Sequence, residues 1–115
     1  MKVTSRESYD IIIVDLNGRL ETTTSGDASD ELVKIIKAPN DKIVLNLEGV
    51  EYISSAGLRV ILLASKLLQA SRGELKICSS NDQVQEVLET SGFNSLLNVY
   101  DSEKDAVAAF LKESV

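Results

Sequence analysis

Histidine and tryptophan are absent from the 115 residues, and cysteine, proline and methionine occur once each. Without histidine the chain has neither the commonest general base near neutral pH nor the commonest zinc ligand, so a Ser-His-Asp hydrolase is excluded. The phosphate-cradling loop GxxxxGK[ST], the dinucleotide fingerprint GxGxxG and the nucleophile elbow GxSxG are missing too. A chain so equipped is expected to be no enzyme and to hold no cofactor or metal. The single cysteine, Cys78, has no internal disulfide partner, and within the apolar run ELKIC it reads as a small buried hydrophobe. No stretch approaches the roughly twenty apolar residues of a membrane span, so membrane insertion is not expected. The opening residues, MKVTSRESYDIII, carry no long apolar segment behind their basic residue, which makes the cytoplasm the expected location. Basic residues are the minority sign: twelve Lys and Arg against eighteen Asp and Glu leave a net charge of −6. Such a field repels phosphate backbones and anionic lipid, so nucleic acid is not an expected partner.

What is present is an ordinary globular balance, 43% hydrophobic and 26% charged, at a length that suits one domain spanning residues 1–115. VTSRES and YDIIIVDLNGRL read as two early strands joined by a short turn, the second rich in β-branched residues and punctuated by Asn17-Gly18. TTTSGDASDELVKIIKAPN supplies a helix with a Thr or Ser cap, Asp27, Asp30 and Glu31 near its positive end, and Leu32, Ile35 and Ile36 at helical spacing. Pro39-Asn40 stops it. KIVLNL, residues 42–47, is a short, mostly apolar strand of the kind buried on both faces. The next helix, from about Ser55 to Ser71, should close at Arg72-Gly73, with the glycine taking the left-handed conformation. ELKICSS forms a further strand. Ser80 or Asn81 then caps DQVQEVLETSG, whose Val84, Val87 and Leu88 share one face and whose Gly92-Phe93 makes a glycine stop. SLLNVY and SEKDAVAAFLKES complete the chain as strand and helix. This alternation predicts an α/β fold: a mixed, largely parallel sheet of about five strands, with about four helices and right-handed crossovers.

The stretch EYISSAGLRV, residues 51–60, sets two hydroxyls between a strand and a helix. One serine suffices for a cap, since a hydroxyl that accepts from a first-turn amide stabilises a helix by about 1 kcal/mol. The same unpaired amides, with the helix dipole, also suit an anion such as a phosphoryl group. On the helix that follows, Arg59 and Lys66 lie within about 20° of each other at 100° per residue, with Leu62 and Leu63 to either side. Few of its positions are polar. It is therefore either buried between a sheet and another helix or carries a partner site on its rim.

From VLNLEGVEYISSAGLRV to YDSEKDAVAAF, with a junction of the D-S-[ST]-G-L type, the SGFNSLL segment and the order of elements around them, the sequence resembles the STAS domain of bacterial anti-sigma factor antagonists. Upstream, NGRLETTTSGDASDEL is similar to that family's Gly-x-Leu-Asp segment and first helix, so the likeness covers nearly the whole chain. Anchored on Gly57-Leu58, the family's phosphorylated serine falls on Ser55. Two positions depart from the pattern: Ser54 replaces the usual Asp, and Ala56 replaces a second hydroxyl residue. Glu21 stands where the family usually has Asp, either as an acidic group beside the site or as a solvated loop carboxylate.

The resemblance implies a single STAS-like domain and a regulatory role without catalysis. Unphosphorylated, such a protein would bind an anti-sigma factor that is also a serine kinase, and so free a sigma factor for transcription. Phosphorylation of Ser55 would end the complex, and a serine phosphatase would restore it. The implied partner-binding surface comprises Glu21, Ser54, Ser55, Ala56 and Gly57, with Arg59 and Leu62 further along the helix. A second reading keeps the domain but makes it a non-catalytic subunit of a signalling or lipid-transport assembly, with Ser55 only a helix cap.

Overall fold

The computed structural model describes residues 1–37, 40–92 and 95–113. Among them the elements run β1 (Lys2–Ser8), β2 (Ile11–Leu20), α1 (Ser25–Lys37), β3 (Lys42–Ile53), α2 (Ser55–Ala70), β4 (Glu74–Cys78), α3 (Asp82–Thr90), β5 (Asn98–Tyr100) and α4 (Glu103–Glu113). The strands form one sheet in the order β1-β2-β3-β4-β5, antiparallel between β1 and β2 and parallel thereafter. The expected α/β fold with a mixed, largely parallel sheet is therefore present.

Strand order that advances in one direction, combined with right-handed crossovers, forces every crossover helix onto the same face of the sheet. The core shows this. Ile43, Leu45 and Leu47 of β3 point to one side, where they pack with Leu32 and Ile36 of α1, Leu58 and Ile61 of α2, and Val84 and Leu88 of α3. The alternate residues face the other way, and there Ile11, Ile13, Val44 and Cys78 lie under Ala106 and Phe110 of α4. Cys78 is wholly buried, as expected of a small hydrophobe, and burial pushes its thiol up.

Ionic contacts hold α4 at both ends. Near its start, Glu103 accepts from Arg6 of β1 and, at 3.0 Å, from the buried Asn46 of β3, while Arg6 also grips Asp15 of β2. At its other end Glu113 meets Lys76 of β4 at 2.8 Å, and Glu74 binds the same ammonium at 2.6 Å. Only 1% of the Lys76 side chain is exposed, and its ammonium lies 4.6 Å from the centre of the Phe110 ring. Burial pulls this lysine down, but the hydrogen bonds to Glu113 and Glu74 more than offset that and leave it raised.

Several boundaries differ from the sequence reading, each for a physical reason. β3 runs on to Ile53 rather than ending at residue 47, because its ladder to β2 survives two register shifts and resumes with Arg19 opposite Tyr52 and Leu20 opposite Ile53. The last strand is only Asn98–Tyr100, and β4 stops at Cys78. At the end of α2 the left-handed residue is Arg72, at φ 64°, and not Gly73. Arg72 N–H donates to Gln69 O and Gly73 N–H to Leu68 O, the paired bonds of a Schellman closure. Gly73 is needed for space: a Cβ there would stand 2.7 Å from the Asp41 carbonyl oxygen. Asn81, rather than Ser80, caps α3 by accepting from Val84 N at 2.8 Å, and Gly92 makes the expected stop at φ 81°. Pro39, Phe93 and Ser114 lie outside the described residues.

Candidate functional site

The carboxyl ends of β2 and β3 bring the two halves of the site together. Leu20 and Ile53 are ladder partners, and Ser54 N–H donates to Leu20 O at 2.9 Å. Glu21 and Ser54 therefore leave the sheet side by side, one toward α1 and the other into α2.

Ser54 is the cap. Its backbone is extended, with φ −100° and ψ 176°, its Oγ accepts from Gly57 N at 3.3 Å, and its carbonyl accepts the first helical bond from Leu58 N at 2.9 Å. Ser55 is the first helical residue, and it is exposed. Its hydroxyl has no hydrogen-bond partner among the described residues. The helix end thus needs only one of the two serines, which leaves the other presented to solvent at the positive end of α2. No Asp or Glu occupies the first turn there. An anion on Ser55 would meet a favourable dipole without a neighbouring carboxylate in that turn.

The remaining residues of the expected surface take different positions. Ala56 is half-buried, and Gly57 is buried against β2, where a Cβ would lie 2.6 Å from Leu20 O. Absence of a side chain at Gly57 is what lets α2 start this close to the sheet. Arg59 is exposed and Leu62 half-buried, on the same side of the helix as Ser55, while Leu63 is 45% exposed. The opposite side, with Leu58, Ile61, Ala64 and Leu68, is in the core. The expectation that α2 is buried holds on that side of the helix, and the side bearing Ser55, Arg59 and Leu62 is open to solvent.

Glu21 is half-buried beside the junction, and its Oε2 accepts from Arg19 Nε at 3.2 Å. Arg19 in turn lies 4.7 Å from the centroid of the Tyr52 ring, its partner across the ladder. Thr24 closes the loop: its Oγ1 accepts from Glu21 N at 3.0 Å and donates to Arg19 O at 2.6 Å. Arg19 and Tyr52 were not singled out from sequence. Each stands two residues before a site residue, Glu21 or Ser54, and strand periodicity puts such positions on one face.

A family model described as the STAS domain matches residues 2–106. The protein BtrV of Bordetella bronchiseptica is 38% identical over 110 residues, covering 96% of this chain and 95% of its own. The anti-sigma F factor antagonist of Paenibacillus polymyxa is 33% identical over 98 residues, 84% of each chain. In three dimensions a Thermotoga maritima crystal structure superposes with a TM-score of 0.88 at 24% identity, over 93% of this chain and 92% of that one. The phosphorylated form of the Bacillus cell fate determinant SpoIIAA superposes with a TM-score of 0.70 at 16% identity, over 95% and 99%.

Proposed function

Because the chain belongs to the STAS domain family, we propose that it is an anti-sigma factor antagonist whose complex is switched at Ser55. Unmodified, it binds a cytoplasmic anti-sigma factor that is also a serine kinase, and the displaced sigma factor returns to transcription. The kinase then transfers the γ-phosphoryl group of ATP to Ser55. The Oγ–P bond forms as the bond from phosphorus to the ADP oxygen breaks, and the hydroxyl proton passes to a base on the kinase. A serine phosphatase reverses the modification with water, releasing inorganic phosphate. This chain supplies the acceptor and the surface and performs no catalysis.

The observation that carries this reading is the division of labour at the junction. Ser54 does the capping, and the Ser55 hydroxyl is exposed on the first turn, where an enzyme can reach it. Around it Ala56, Arg59 and Leu62 continue one partly apolar surface, with Glu21 at its edge and Gly57 contributing closeness of approach. Phosphorylation adds about −1.5 to −2 charges to that surface, and a complementary partner would have to desolvate them without compensation. Binding is lost with no change of fold.

Incubation with the cognate kinase and ATP should add one phosphate, mapped to Ser55 by mass spectrometry. In pull-downs with the anti-sigma factor, Ser55→Ala should bind and Ser55→Asp should not. Phosphate on Ser54, or undiminished binding by Ser55→Asp, would overturn the assignment and favour the subunit role in which these serines only shape the helix.

A further inference from the structure

The helix that bears Ser55 differs in charge from the other three. α1 carries Asp27 in its first turn, α3 carries Asp82, and α4 carries Glu103 and Asp105, whereas the only ionisable side chains of α2 are Arg59 and Lys66. Arg59 follows Ser55 by one helical turn, and both are exposed. Neither side chain has a hydrogen-bond or ion-pair partner among the described residues. Residues spaced i and i+4 stand about 5–6 Å apart at Cβ, and helical side chains lean toward the N-terminus. This spacing puts the turn that starts at Ser55 within reach of the Arg59 guanidinium.

Resting on the reading of Ser55 as the phosphorylated residue, we propose that phosphoserine 55 captures Arg59 of its own helix. The modification then withdraws a cation from the partner-binding face while it adds a dianion there. A phosphate offers three acceptor oxygens to the planar fork of an arginine, and an acid N-terminal to a base at this spacing is the better orientation on a helix. Competing cations are poorly placed. Arg19 is held by Glu21 at 3.2 Å and by the ring of Tyr52, and Glu21 itself repels a phosphate. Lys66 lies eleven residues from Ser55, about 16 Å along the axis. A partner carboxylate that met Arg59 in the complex would face a neutralised arginine and a phosphate after modification.

Phosphoserine installed at position 55 of the full chain during translation makes the test independent of any kinase. Phosphorus NMR then follows the second phosphate ionisation, ordinarily near pH ~6. With Arg59 present it should titrate ~0.3 unit or more below its value in Arg59→Gln, and Arg59→Lys should recover part of the shift. Lys66→Gln should leave it unmoved. Equal titration with and without Arg59, or a shift as large from Lys66→Gln, overturns the capture and leaves the switch at Ser55 standing. Failure of the cognate kinase to modify Ser55 would instead sink the proposed function, while a titration that depends on Arg59 would still establish the pairing.

Discussion

Ser54 and Ser55 are adjacent and chemically identical, yet only Ser54 caps the helix and Ser55 is left exposed. Ser54 accepts from Gly57 N, so Ser54→Ala should cost about 0.5–2 kcal/mol of stability. Ser55→Ala removes an exposed hydroxyl and should stay within about 0.5 kcal/mol of the parent. Urea melts of the two variants check the order, and a costlier Ser55→Ala would move the cap by one residue. Serine at position 54 keeps the capping chemistry of the family's usual Asp and gives up one negative charge at the positive end of α2. A cap somewhere in SSAG was legible in the sequence. Which serine it was depended on where the helix starts, and a shift of one residue exchanges the two roles. The pair Arg72-Gly73 was misread for a related reason. Glycine answers two needs, a positive φ and room for close approach, and the second prevails here. Gly73 lies against Asp41, so Arg72 carries the left-handed conformation, which costs about 1–2 kcal/mol in a residue with a Cβ.

At the scale of elements, α4 is held at both ends by charged contacts. Hydrogen bonds from Arg6 and then Asn46 hold Glu103 below the usual glutamate range, and the bond from Lys76 does the same for Glu113. A carboxylate depressed in the folded state contributes stability that is complete above its unfolded value, about 4.3, and is lost as pH falls through the lower folded value. Acidification below about pH 4.3 should therefore loosen α4. Hydrogen exchange should show its amides losing protection over that window, less steeply in Glu103→Gln and Glu113→Gln. Protection that stays flat with pH would mean that Phe110 and Ala106 hold the helix unaided. Lys76 has the opposite sign: raised in the fold, it contributes below about 10.4 and fails as pH rises through its folded value. These contacts were not legible, since Arg6 meets Glu103 across 97 positions and a lysine within ELKIC gives no sign that it is buried. The apolar runs of β2, β3 and β4 were legible because burial on both faces leaves a continuous signal. The polar second half of β3 was not, because Glu48, Glu51 and Tyr52 break that run while the ladder continues.

Over the whole molecule the net charge is −6, yet α2 presents only positive charge, so the field at the proposed binding face opposes the average. Arg59→Glu and Lys112→Glu subtract the same charge, one on α2 and the other on α4 across the sheet. Association with the anti-sigma factor, followed by stopped flow at low salt, should slow markedly for the first and little for the second. Equal slowing would mean that net charge alone governs the encounter. The fold was legible at this scale because element order and crossover handedness leave few arrangements, whereas the candidate site was read only from the likeness around Gly57-Leu58, and Ser55 as its acceptor stays a proposal. The sheet's strand order, identical to the order of the chain, also bears on synthesis. No strand has to be inserted between two already placed, so each can dock on its predecessor as it leaves the ribosome. The crossover helices complete their packing as the next strand arrives, and α4 meets a seat on β2, β3 and β4 that is already built; assembly can run in the direction of translation until that helix covers the other side of the sheet.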